Sequence, residues 1–291
     1  MTNHNNRPPL SHTWLLDKND YVSSHSEKLT IPRIINKIYF SNSGGFKNAN
    51  AMPNELKEAH RSWKTMNPGY DIRYFDLHMA RKYLKNHFHQ VFLRTFDCLE
   101  AFAYKSDFFR FALLYREGGW HSDWKQQCLK KNLLDNIANG TNFYSARDNG
   151  NHISVREQCV QNAFVGTPPQ HPIIEKVLER QLVYVQSNFY STGSSLFYNV
   201  CLFGKMIKSY EKEQQQEEGT TGDSAKTRIF PGVVGTFQSS LFNWNNEAVV
   251  RHKCENCGDG QDWDEGNNYN ELWQARNAYC EDSKSIFHVI E

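Results

Sequence analysis

One stretch constrains this chain more than any other: residues 99–126, LEAFAYKSDFFRFALLYREGGWHSDWKQ. Up to Glu117 it carries apolar side chains on nearly every face of a helix. A soluble helix that is apolar all round is a buried one. Asp107 and Arg110 nevertheless stand in its middle, three residues apart and so on one face. Buried charge is costly unless it is paired or used. Gly118-Gly119 then ends the helix, as glycine just past the last turn commonly does. Trp120 to Lys125 follows as a short strand-like run with polar groups at alternate positions. A buried helix, a glycine pair and a carboxylate near a strand end together deliver charged groups into a cleft. Taken alone, the Asp107–Arg110 spacing fits an intrahelical ion pair better than a site.

The flanking sequence alternates strand and helix. Ile31–Phe40 reads as a buried strand. A helix runs from Pro53-Asn54 to Met66 and is closed by Asn67-Pro68-Gly69. Tyr70–Phe75 is a second strand, and Asp76 caps a helix reaching about His87. Beyond the central helix, Asn142–Ala146 and Val160–Gly166 are strands. Helices follow from His171-Pro172 to about Gln186, over Ser195–Tyr210, and over Asn270–Tyr279. This order predicts the α/β class, a Rossmann-like and mostly parallel sheet flanked by helices. In such sheets ligands sit outside the carboxyl ends of the strands, where Tyr39, Asp76 and Asp123 fall. Residues 1–29 read as a peripheral arm and residues 30–291 as one domain with a small C-terminal extension. Within it, Glu211–Lys226 reads as a mobile polar loop.

Composition narrows the function. The net charge is +1, which gives no footprint for nucleic acid. No run of about 18 apolar residues encodes a membrane span. The opening residues, MTNHNNRPPLSHTW, lack an apolar signal region, so a cytoplasmic location is expected. Seven cysteines, an odd count with five of them scattered, suggest reduced thiols rather than a disulfide framework. His252, Cys254, Cys257 and Cys280 have half the spacing of a zinc knot.

Lys105, Ser106, Asp107, Arg110, Leu114, Gly118, Gly119 and Asp123 fall in the register K-S-D-x-x-R-x-x-x-L-x-x-x-G-G-x-Y-x-D-x-D. This pattern resembles the family 32 glycosyltransferases, sugar transferases with a DXD motif that are related to the glucosylating domain of the large clostridial toxins. Ile31–Tyr39 is similar to the family's opening strand I-P-K-I-I-H-Q-I-W, and Asn67-Pro68-Gly69-Tyr70 to its N-P-G-Y turn. Two positions of the motif depart: His121 stands in place of Tyr, and Lys125 in place of the second Asp.

The resemblance implies a GT-A-like fold. It also implies a nucleotide-sugar donor (UDP- or GDP-linked) and transfer to a hydroxyl, with retention. The acceptor would be a glycan, a lipid-linked sugar or a protein. By the same resemblance, Asp107 holds sugar hydroxyls, Arg110 contacts sugar or phosphate, and Tyr39 stacks on the base. Asn162 lies near the sugar, and Mn2+ or Mg2+ bridges the diphosphate. Three outcomes stay open for Lys125. Metal binds through Asp123 and a second group such as His288. Alternatively, the Lys125 ammonium contacts the diphosphate directly. In the last, the chain is a non-catalytic nucleotide-sugar or glycan-binding module with a degenerate motif.

Overall fold

This computed structural model describes residues 30–41, 52, 54–141, 143–148, 159–190, 200–218, 233–238, 241–253 and 267–283. In chain order the elements are β1 (Ile34–Ile38), α1 (Asn54–Met66), β2 (Asp71–Phe75), α2 (Leu77–His87), α3 (Gln90–Cys98), α4 (Phe102–Glu117), β3 (Gly119–Ser122), β4 (Gln127–Cys128) and α5 (Leu133–Ala138). They continue with β5 (Tyr144–Asp148), β6 (Val160–Thr167), α6 (Pro172–Gln186), α7 (Val200–Glu218), β7 (Val233–Gln238), β8 (Leu241–Trp244), β9 (Glu247–Arg251) and α8 (Tyr269–Gln274).

The strands form one sheet in the order β2-β1-β3-β6-β5-β7-β8-β9-β4. β1 pairs in parallel with β2 and β3, as β5 does with β7. The other ladders are antiparallel. β1, β2, β3, β5, β7 and β9 therefore run one way, and β4, β6 and β8 the other. The α/β architecture read from the sequence holds.

Two apolar cores cover the sheet. Side chains alternate along a strand, so neighbours in sequence face opposite cores. Ile38 of β1 and Val165 of β6 join the core containing α4 and α6, whereas Ile35, Trp120 and Phe164 join the one containing Trp63 of α1. α4 carries the larger share of the first core: Phe108, Phe109, Ala112, Leu113 and Leu114 are wholly buried.

The glycine pair sets how α4 meets β3. Gly118 has φ +66°, and its amide closes the helix on the Leu114 carbonyl at 2.9 Å. A Cβ there would lie 2.6 Å from the Pro169 backbone nitrogen. Gly119, at φ +87°, approaches the Ile34 carbonyl so closely that a Cβ would sit 2.9 Å from it. Only glycine takes both conformations without strain. Other caps follow the sequence: Asp76 accepts from the Met79 amide at 2.7 Å, and His171 caps α6 just before Pro172.

The structure corrects four expectations. α4 starts at Phe102 rather than Leu99, because Leu99 pairs with Tyr279 in an isolated bridge. α7 runs on to Glu218, so the first half of the expected polar loop is helix; residues 219–226 lie outside the described residues. The strands β7, β8 and β9 extend the sheet where the sequence suggested none. Finally, Cys98 and Cys280 form a disulfide 182 residues apart in sequence, and Cys159 is disulfide-bonded too. Cys280 is therefore not a zinc ligand. Disulfides persist in oxidising surroundings, so the bridge counts against reduced thiols and a cytoplasmic setting.

Candidate active site

Lys105 opens the motif and has a local task. Its ammonium reaches back to the carbonyls of Phe96 at 3.0 Å, Asp97 at 3.1 Å and Leu99. It thereby satisfies the C-terminal carbonyls of α3, which no intrahelical amide can reach.

One turn further on, the sequence-predicted residues come together. Arg110 is the hub. Its Nη2 lies 2.8 Å from Asp107 Oδ1 and 3.3 Å from Asp123 Oδ1. Its Nη1 donates to the Asn162 carbonyl at 2.7 Å. The Asn162 amide donates in turn to Asp107 Oδ1 at 3.4 Å. Arg110 is buried, with a side-chain exposure of 6%, while Asp107 and Asp123 keep 17% and 28%. The guanidinium thus lies beneath two carboxylates that still reach solvent. Asp107, Arg110, Asp123 and Asn162 thus lie together near the carboxyl end of β3.

His121, the first departure from the motif, closes the cluster: its Nε2 is 2.9 Å from Asp123 Oδ1. Burial and the neighbouring Arg110 charge lower its pKa to about 4. The ring is therefore neutral at pH 7 and donates from Nε2, since a carboxylate can only accept. The two acids are driven apart. Burial pushes Asp107 up to about 7 against the pull of Arg110. Burial also works to raise Asp123, but Arg110 and the His121 bond more than offset it and hold it below the usual carboxylate range. Such splitting of neighbouring acids is characteristic of working sites. Among the described residues, four buried polar atoms at or beside the cluster have no hydrogen-bond partner: Arg110 Nε, His121 Nδ1 and both side-chain polar atoms of Asn36.

Tyr39 follows β1, and its ring lies 4.5 Å from that of Trp124, the residue between Asp123 and Lys125. The Lys125 ammonium sits over the same Trp124 ring at 4.6 Å. Tyr39, Trp124 and Lys125 therefore form a continuous surface next to the acids.

Sequence reasoning missed the network beneath the turn. Lys37 on β1 donates to Ser122 Oγ at 2.6 Å and to the Asp123 carbonyl at 3.1 Å, and lies over the Trp63 ring at 4.5 Å. Ser122 Oγ donates to Gln126 Oε1 at 2.8 Å, and Gln126 Nε2 lies 3.2 Å from His252 Nδ1. Burial lowers the Lys37 pKa to about 7, with Asp123 resisting. The signal was a lysine inside a buried strand, a buried charge like Asp107 and Arg110. His288, Cys254 and Cys257 lie outside the described residues. His252 Nδ1 meets the Gln126 amide. Among the described residues no three of His, Cys, Asp and Glu lie close enough to hold a metal ion together.

With this geometry in place, comparison with known proteins is informative. An uncharacterised glycosyltransferase, L373, of Acanthamoeba polyphaga mimivirus is 30% identical over 170 residues, covering 57% of this chain and 63% of that relative's length. Among solved structures, PaToxG glycosyltransferase matches 65% of this chain and 73% of its own, with TM-score 0.45 and 13% identity. Residues 53–144 match the family described as "Glycosyltransferase sugar-binding region containing DXD motif". The resemblance read from the sequence is borne out there: Asp107, Arg110 and Asp123 all lie inside the segment that this chain shares with the DXD glycosyltransferases.

Proposed function

We propose that this chain is a glycosyltransferase that moves a sugar from a UDP- or GDP-linked donor to a hydroxyl acceptor, with retention at the anomeric carbon. The observation that carries the reading is the Asp107–Arg110–Asp123 cluster, a buried guanidinium beneath two partly open carboxylates. Carboxylates accept from sugar or ribose hydroxyls, and a guanidinium is suited to phosphate oxygens. Tyr39 and Trp124 offer flat faces for the base at little geometric cost.

In the transfer, the bond between the anomeric carbon and the diphosphate oxygen breaks while the acceptor hydroxyl oxygen bonds to that carbon from the same face, and the hydroxyl proton passes to the departing diphosphate oxygen. The electron pair leaves on the diphosphate. Fixed positive groups that meet this growing charge lower the barrier, and they do so most strongly where water is excluded. Asp107 and Asn162 orient the sugar, Asp123 holds a hydroxyl, and Arg110 faces the developing charge. The acceptor is a glycan, a lipid-linked sugar or a protein. Among the described residues no helix is long and apolar enough to cross a membrane.

A second reading is a non-catalytic nucleotide-sugar or glycan-binding module, and Lys125 at the motif's last position favours it. Incubation with a panel of UDP- and GDP-sugars, followed by chromatography of the released nucleotide, separates the two. Turnover of one donor supports the transferase. Saturable binding without turnover supports the module, and neither binding nor turnover removes both.

A further inference from the structure

The donor proposed above carries a diphosphate, and the family resemblance implies a divalent cation to bridge it. The described groups around Asp123 do not suit one. Magnesium and manganese call for several oxygen ligands with lone pairs free to coordinate. Asp123 is the one carboxylate left in the motif, and its Oδ1 already faces two donors, Arg110 Nη2 at 3.3 Å and His121 Nε2 at 2.9 Å. The Asp123 carbonyl, a possible backbone ligand, accepts from Lys37 at 3.1 Å. Two residues after Asp123, a carboxylate is replaced by the ammonium of Lys125, which has donors and no lone pair. No other described His, Cys, Asp or Glu completes a ligand set.

The same features suit direct recognition of the anion. Lys125 is buried, with 8% of its surface exposed, and its ammonium is steered over the Trp124 ring. A charge withdrawn from bulk water acts more strongly on a neighbouring anion than one in solution. Trp124 also meets the Tyr39 ring at 4.5 Å, so two aromatic rings and the ammonium lie together beside Asp123. Flat rings suit a base and an ammonium suits a phosphate. We infer that this chain grips its nucleoside diphosphate without a divalent cation, with the Lys125 ammonium standing where the family's metal-bound carboxylate would be. The inference rests on the nucleotide-sugar reading of the site.

Isothermal titration of the intact chain with UDP and with GDP, in EDTA and in Mn2+ at matched ionic strength, tests it. One nucleotide should bind with the same affinity in both buffers, within about twofold. Lys125→Met should weaken that binding about tenfold or more, the scale of one charge-assisted hydrogen bond. Lys125→Asp, which rebuilds the D-x-D spacing, should bind in Mn2+ and lose affinity in EDTA. Circular dichroism melts establish that both variants fold. Wild-type binding that needs Mn2+ overturns the inference and leaves the nucleotide-sugar reading intact. Full affinity of Lys125→Met in EDTA also overturns it. If neither nucleotide binds in either buffer, the nucleotide-sugar reading fails and the inference falls with it.

Discussion

The two faces of the sheet at the end of β3 carry similar polar chemistry in opposite states of exposure. On the α4 side, Arg110 gathers Asp107, Asp123 and Asn162 in a cluster whose acids reach solvent. On the α1 side, Lys37, Ser122 and Gln126 form a chain of bonds that is fully enclosed: Lys37 is 2% exposed, Ser122 and Gln126 0%. One strand supplies both, because His121 and Ser122 point to opposite faces. The difference separates a surface that meets a ligand from a scaffold that fixes the turn. A buried polar network in which each member is bonded holds one conformation.

The largest effect should come from the open face. Arg110→Met leaves two carboxylates facing each other with their shared partner gone. Loss of one partner from a buried charge group costs about 3–5 kcal/mol. Denaturant unfolding should show that loss, and donor turnover should fall by about a hundredfold or more. Retained turnover would mean that the cluster serves only to hold α4 in place.

Gly166→Ala probes the strand beneath both faces. The new Cβ would lie 2.5 Å from the Trp120 ring. Overpacking of this kind costs about 1–3 kcal/mol. The melting temperature should drop while the nucleotide specificity stays the same.

Lys37→Met breaks the enclosed face. It removes the donor to the Asp123 carbonyl, an unmet bond worth about 1–2 kcal/mol. Stability should decline by that amount with nucleotide affinity kept within about threefold. An affinity loss matching that of Arg110→Met would erase the distinction between the faces.

The last effect is a pH dependence. Asp107 has its pKa raised from 3.8 to about 7 in the fold. A raised value contributes stability that is fully present below the unfolded pKa and is lost as pH rises through the folded one. Stability should therefore decline as the pH rises between about 4 and 7. Asp107→Asn should flatten that slope in thermal melts. Asp123 acts oppositely: its lowered pKa contributes stability that is lost only in acid, below 3.8.

The open face was legible in the sequence because two spacings meet there. Helical spacing puts Asp107 and Arg110 on one side of α4, and the glycine pair brings Asp123 back over them. The caps at Asp76 and His171 were legible for the same reason, being local. α3 was not assigned, since its N-cap is His89 rather than Ser, Thr, Asp or Asn. The β8–β9 hairpin did leave a signal. Asn245 and Asn246, at φ 51° and 64°, take the left-handed conformations of a two-residue turn, a recognised use of asparagine. The Cys98–Cys280 pairing left none, because sequence alone does not set disulfide connectivity. The enclosed face was missed because its lysine was read as part of a buried strand rather than as a charge needing a partner.

The account turns on whether the two acids and the guanidinium recognise the sugar of an activated donor. Calorimetric titration with UDP- and GDP-sugars beside the bare nucleotides measures this directly. The account predicts that one nucleotide sugar binds more tightly than its own nucleoside diphosphate, and that Asp107→Asn abolishes the difference while leaving the affinity for the bare nucleotide. A sugar that adds nothing to binding, or an advantage that survives in Asp107→Asn, would contradict it.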